Sequence, residues 1–161
     1  MGKAIFNWFI RHTQRVVWVL ASAYGFRIDR SGFAYGQHPL VFDGGDDQLK
    51  HQVPRSCYFN TRSGSITVGE NTVFGEDVKV LTGKHSSIRE SEQQGIPLHF
   101  VPDNGRDISI GKGCYIGSGA ILIGPIAIGD FTVVGAGSVV TKSFPARVFV
   151  AGNPAKVIRQ I

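Results

Sequence analysis

Ile110-Gly-Lys-Gly-Cys-Tyr, Ile116-Gly-Ser-Gly-Ala-Ile, Leu122-Ile-Gly-Pro-Ile-Ala, Ile128-Gly-Asp-Phe-Thr-Val and Val134-Gly-Ala-Gly-Ser-Val, closed by Val140-Thr141, decide the fold. An aliphatic residue opens every block of six. Glycine follows it at Gly111, Gly117, Gly129 and Gly135, and the fifth position (Cys114, Ala120, Ile126, Thr132, Ser138) is mostly small. A period of six matches neither a helix face nor an alternating strand. It is one of the short periods that mark parallel β-helices. Each block supplies one flat strand and one corner, with the opening aliphatic and the fifth residue filling the inside of a prism. Glycine permits the backbone angles and the close approach of a tight corner. Coils stack at about 4.8 Å, and each coil buries its faces only against its neighbours. Hairpins with glycine turns would not hold a strict period of six over so many units.

The same register runs upstream through Val68-Gly-Glu-Asn-Thr-Val, Phe74-Gly-Glu-Asp-Val-Lys and Val80-Leu-Thr-Gly-Lys-His85. With these blocks the chain resembles the hexapeptide-repeat acyltransferases from about Ser65 to Ile161. The stretch Val68–His85, ending Leu81-Thr-Gly-Lys-His85, is similar to the segment that carries the catalytic histidine in the maltose and galactoside acetyltransferase branch. Gly135-Ala-Gly-Ser-Val-Val-Thr-Lys142 and Ala151-Gly-Asn-Pro-Ala-Lys-Val-Ile-Arg159 resemble that branch's coenzyme A-binding end. The resemblance implies an all-β fold, a left-handed parallel β-helix with three hexads per coil, and a homotrimer with active sites between subunits. It implies acetyl-CoA as acyl donor, no required metal, and a sugar or nucleotide-sugar hydroxyl or amine as acceptor, with surface-polysaccharide assembly as a setting.

The chemistry of such a transfer explains the residue types. Attack on a thioester needs a base to take the acceptor's proton, and imidazole titrates near neutrality. The resemblance gives that role to His85. The thioester oxygen gains charge in the transition state and needs a preorganised donor, which the resemblance places at the backbone N–H of Ser118. A carboxylate or carbonyl should orient the far nitrogen of His85; Glu76, Asp77 and Asp103 are the carboxylate candidates. By family position, Ala136 and Thr141 line the groove for the pantetheine arm, and Lys142, Lys156 and Arg159 meet the phosphates. Tyr115 stands where relatives commonly carry Trp, which bears on acceptor packing. His99 is a candidate substrate contact, whereas His12, His38 and His51 read as structural or surface residues.

Composition sets the bounds. The 161 residues, 18% charged and holding 21 glycines, suit one turn-dense solenoid domain. A net charge of +5 without a nucleic-acid motif points to anionic small molecules or anionic membranes, not to DNA or RNA. Two cysteines give neither a disulfide framework nor a zinc signature, so a reducing, cytoplasmic compartment is expected, at the inner face of the membrane if residues 1–20 contact it. Gly83-Lys84 precedes His and is no P-loop, and Gly135-Ala-Gly137 is a hexad corner, not a dinucleotide fingerprint. A metal hydrolyase similar to the γ-class carbonic anhydrases would need three histidine ligands, and only His85 lies in the readable repeats. A non-catalytic β-helix scaffold is the other alternative.

Three segments flank the repeats. Residues 1–26 carry apolar residues at helical spacing (Phe6, Phe9, Ile10, Val17, Leu20) interrupted by Lys3, Arg11 and Arg15. They read as a packed helix, as a membrane-surface helix through residues 1–20, or as a leader cleaved near Ala21-Ser-Ala23. The acyltransferase domain then spans 27–161, with strands at Arg27-Ile-Asp and Phe33-Ala-Tyr-Gly, a turn at Asp43-Gly-Gly-Asp-Asp, and interior aromatics at Tyr58-Phe59. Residues 86–107 form a polar inserted loop straight after His85, and a loop that long in a compact domain is usually functional. In the C-terminal cap, 142–161, Asn153-Pro154 reads as a helix start, which predicts a short helix from Pro154 to about Gln160.

Overall fold

The structure is a computed structural model that describes residues 27–29 and 32–161. The predicted N-terminal helical segment, with its membrane contact and its leader reading, lies outside the described residues. Three parallel sheets form the walls of a prism, as a left-handed β-helix requires. The first wall stacks β2 (Gly32–Gly36), β4 (Tyr58–Thr61), β7 (Lys79–Leu81), β10 (Ile121–Ile123) and β13 (Val139–Val140), with β1 (Arg27–Asp29) antiparallel at its edge. The second stacks β3 (Leu40–Phe42), β5 (Ile66–Val68), β8 (Ile108–Ile110) and β11 (Ile126–Ile128). The third stacks β6 (Val73–Phe74), β9 (Tyr115–Ile116), β12 (Val133–Val134) and β14 (Val148–Gly152), with β15 (Ala155–Gln160) antiparallel at its edge. The chain visits the walls in that order, coil after coil.

The hexad reading predicts the inside of the prism residue by residue. Ile110, Ile116, Leu122, Ile128, Val134 and Val140 are all buried, as are Cys114, Ala120, Ile126, Thr132 and Ser138. The inward hydroxyls bond to backbone: Thr72 donates to the Gly111 carbonyl (2.6 Å) and Thr132 to the Pro145 carbonyl (2.8 Å), as buried polar groups must. The glycines divide into two kinds. Second-position glycine serves close approach: a Cβ on Gly117 would stand 2.5 Å from the Ala136 nitrogen of the next coil. The left-handed turn falls instead on the fourth position, at Gly113 (φ 62), and at Asn71, Asp77 and Phe131, which take it without being glycine. At the N-terminal end, Phe59 packs edge-on against both Phe42 and Phe74, with ring centroids 5.7 Å apart. Its neighbour Tyr58 faces outward and is only half-buried.

Two helices and a hairpin depart from expectation. The turn at Asp43 continues into α1 (Gly45–Gln52), whose buried Gln48 donates to the carbonyls of Gly69 (2.9 Å) and Thr72 (3.2 Å) and so closes the first coil. The inserted loop contains α2 (Ile88–Gln94), started by a capping box between Ser87 and Glu90 and ended by Gly95 in the left-handed conformation. The predicted C-terminal helix is absent: Ala155–Gln160 is strand β15, folded back on β14 through Gly152 (φ 104) and a cis Asn153–Pro154 bond. The physical reason is the partner. Val148–Ala151 leaves an open sheet edge, and Lys156-Val-Ile-Arg fills it with β-branched residues that suit a pleated surface.

Candidate active site

The walls meet at three edges, and the candidate residues gather on two of them. His85 follows β7, where the first wall turns toward the second. The coil is interrupted there: Ile66 pairs with Ile108, 42 residues on, whereas Ile108 pairs with Ile126, 18 residues on. The detour returns to the coil through Arg106, whose N–H donates to the Ser63 carbonyl (3.0 Å). Thr141 and Lys142 lie on the same edge two coils further, with the Lys142 ammonium 5.6 Å from the Phe144 ring centre.

The detour supplies the partner of His85. Nδ1 of His85 meets the carbonyl oxygen of His99 at 2.5 Å. A carbonyl only accepts, so Nδ1 carries a hydrogen, and in the neutral ring the accepting nitrogen is then Nε2. His99 has φ 59, and the two imidazole rings stand edge-on at 6.4 Å. None of the three carboxylate candidates fills this place. Asp103 pairs with Arg62 (3.6 Å), and its carbonyl meets Nε2 of His38 (2.5 Å). Glu76 accepts from the Ser56 hydroxyl, and the Asp77 N–H donates to the same oxygen (2.9 Å). Both therefore lie on another edge. Asn60, unflagged by the sequence reading, comes close to the site: a Cβ on Gly83 would stand 3.3 Å from its amide. His51 lies on α1 beside Asp47 (3.6 Å), exposed, and His12 is outside the described residues.

Ser118 occupies the edge between the third and first walls. The amides on either side of it are taken, Gly117 by the Val134 carbonyl and Gly119 by the Glu76 carbonyl, both at 2.8 Å. Among the described residues no acceptor meets the Ser118 N–H. Tyr115, three residues earlier, projects from the third wall and is 47% exposed. Ala136 sits one coil above Ser118 on this edge. Lys156 and Arg159 lie on β15. A bulge in β15 pairs Arg159 with Phe149 and Lys156 with Ala151, so both cations share the outer face of the third wall. Arg159 stands over the Phe149 ring at 5.8 Å.

One chain thus divides the predicted residues into two groups with the first wall between them. His85, Thr141 and Lys142 are on one side; Ser118, Ala136, Lys156 and Arg159 are on the other. His85 and Ser118 belong to the same coil, β7 to β9, and so lie within one coil's rise, about 4.8 Å, along the prism.

Comparison with known proteins bears on the repeats and the architecture. Residues 107–142 match the bacterial transferase hexapeptide (six repeats) family model. The chain is 35% identical to the galactoside O-acetyltransferase of Escherichia coli, over 80% of its own length and 61% of that protein's. It is 31% identical to the serine acetyltransferase of Buchnera aphidicola, over 81% of its own length and 40% of that protein's. A maltose O-acetyltransferase of Clostridium difficile superposes with a TM-score of 0.53 at 26% identity, over 82% of this chain and 60% of that one. The chain therefore spans less than two thirds of the length of these relatives. Hexads, architecture and relatives agree: the chain belongs to the hexapeptide-repeat acetyltransferase family.

Proposed function

We propose that this chain transfers an acetyl group from acetyl-CoA to a hydroxyl of a sugar-type acceptor, with His85 as general base. Nε2 takes the acceptor's proton as its oxygen attacks the thioester carbon. The Ser118 N–H stabilises the oxyanion that forms. The carbon–sulfur bond then breaks, and Nε2 returns the proton to the departing thiolate. Acetyl transfer is the activity in the names of the E. coli and C. difficile relatives, which supports the donor and the acceptor class. The observation that carries the reading is the hydrogen bond from His85 Nδ1 to the His99 carbonyl, which orients the ring and, in its neutral form, makes Nε2 the accepting nitrogen.

The working unit in this reading is a homotrimer. Three copies around an axis parallel to the prism, with the first wall inward, bring the His85 edge of one copy against the Ser118 edge of the next. The rotation preserves height, so the two groups meet within one coil of each other. The outer face of the first wall supports this: Leu81, Ile121, Ile123 and Val139 are apolar and half-buried in one chain, whereas the second wall presents exposed Thr67 and Ser109. Coenzyme A would lie between copies, its arm along Ala136 and Thr141 and its phosphates against Lys142, Lys156 and Arg159.

His85→Ala should lower kcat by about a hundredfold or more, the usual worth of a general base. Acetyl-CoA affinity, read by calorimetry, should stay unchanged. Near-normal turnover would remove His85 from the mechanism.

A further inference from the structure

The detour between Ser86 and Asp107 is tied at two places. At its neck, the Glu90 carboxylate joins both ends: one oxygen accepts the Ser87 N–H (2.7 Å) and the other accepts the Arg106 guanidinium (3.0 Å). Ser87 is two residues past His85, and Arg106 is already fixed to the coil through the Ser63 carbonyl. Further in, Ser86 donates its N–H (2.7 Å) and its hydroxyl (3.0 Å) to the Phe100 carbonyl, and the Ser91 hydroxyl donates to the Pro97 carbonyl (3.2 Å). His99 lies between those two tethered carbonyls, and its own carbonyl is the one on His85.

On the reading that His85 is the base, we propose that the Glu90–Arg106 pair is the positioning device of the base: by closing the neck of the detour it sets where the His99 carbonyl stands, and through it the orientation and tautomer of His85. Closing a segment this long costs chain entropy that a few local bonds must offset. The pair is built for that task. The Arg106 side chain is 13% exposed, so its charge-assisted bond is shielded from water more than an ordinary surface pair. The Glu90 carboxyl is held down to about 2 by the Ser87 amide first and by Arg106 after it, so the pair stays ionised at working pH.

Glu90→Gln separates the two duties of this residue. Glutamine also serves as the third residue of a capping box, so the start of α2 survives while the charge pair is lost. The expected result is a fall in kcat of about tenfold, the scale of a slightly misplaced catalytic group, with KM for acetyl-CoA changed by less than about twofold. Arg106→Gln should do the same. The double variant should be no worse than either single one, because one interaction is removed in all three. The readout that a purely structural role would not move is the 15N spectrum of the His85 imidazole, assigned among the five histidines by its absence in His85→Ala. It should pass from a single Nδ1–H tautomer in the wild type to a mixture in Glu90→Gln, without substrate present. An unchanged His85 spectrum, or an unchanged kcat, in Glu90→Gln overturns the proposal. Full activity in His85→Ala overturns the base reading instead, and the spectral shift in Glu90→Gln would then still report what holds the ring.

Discussion

Cys57 and Cys114 show how far a single position is governed by the prism. Cys114 fills a fifth position and Cys57 packs at an edge, where its thiol donates to the Gly75 carbonyl (3.3 Å). Burial pushes the Cys57 thiol up to about 11 and raises Cys114 as well. The thiolate is the reactive form, so neither should react with Ellman's reagent at pH 8 in the folded protein. Both should react at once in guanidinium, and a fast thiol in the native state would contradict the packing. At this scale the sequence is most readable where a side chain has a fixed address in the hexad, as for Leu122 or Thr132. The catalytic candidate His85 was legible too, because its residue type is its function. Its partner was not. The His99 carbonyl is backbone, which every residue has, and no residue type announces it.

The elements follow the same logic. Strands set by the period of six were legible; the departures from it were less so. The Ser87-x-x-Glu90 capping box and Gly95 are helix signals that the polarity of residues 86–107 masked. At Asn153-Pro154 a local helix signal lost to the open edge of β14, since tertiary pairing overrides propensity. Two predictions belong here. The Glu90 carboxyl is lower folded than its ordinary 4.5, so its contribution to stability is complete above about pH 5 and fades as pH falls through its folded value near 2. The melting-temperature difference between wild type and Glu90→Gln should therefore be flat above about pH 5 and vanish in strong acid. A difference that grows on acidification would contradict the ion pair. On β15, the shared face of Lys156 and Arg159 suits two phosphates of one ligand. Lys156→Ala with Arg159→Ala should raise KM for acetyl-CoA about tenfold to a hundredfold and leave kcat nearly intact. It should also remove most of the preference for acetyl-CoA over acetyl-pantetheine, which lacks those phosphates. Equal discrimination by variant and wild type would remove the tail from the donor site.

For the whole molecule the question is which copy supplies which group. Within one chain the first wall separates the His85 edge from the Ser118 edge and from the third wall that carries Lys156 and Arg159, and no hinge in a stacked solenoid brings them together. A three-fold assembly does so by symmetry, through a heterologous contact that closes. Two defective variants can then repair each other. In His85→Ala the base is lost but the phosphate face is intact; in the Lys156→Ala, Arg159→Ala variant the reverse holds. Co-expressed in equal amounts, they should form mixed trimers in which about a quarter of the sites pair an intact His85 with an intact neighbouring β15. At low acetyl-CoA, where each variant alone is slow, the mixture should recover activity in about that proportion of wild type. A site contained in one chain would have no intact copy in any mixture, and activity would stay at the sum of the two parents. Sedimentation should give a particle three times the 17.5 kDa chain. A trimer without complementation would place both groups on one chain, against the edges described above; complementation without a trimer would replace the three-fold axis with another that still joins the two edges.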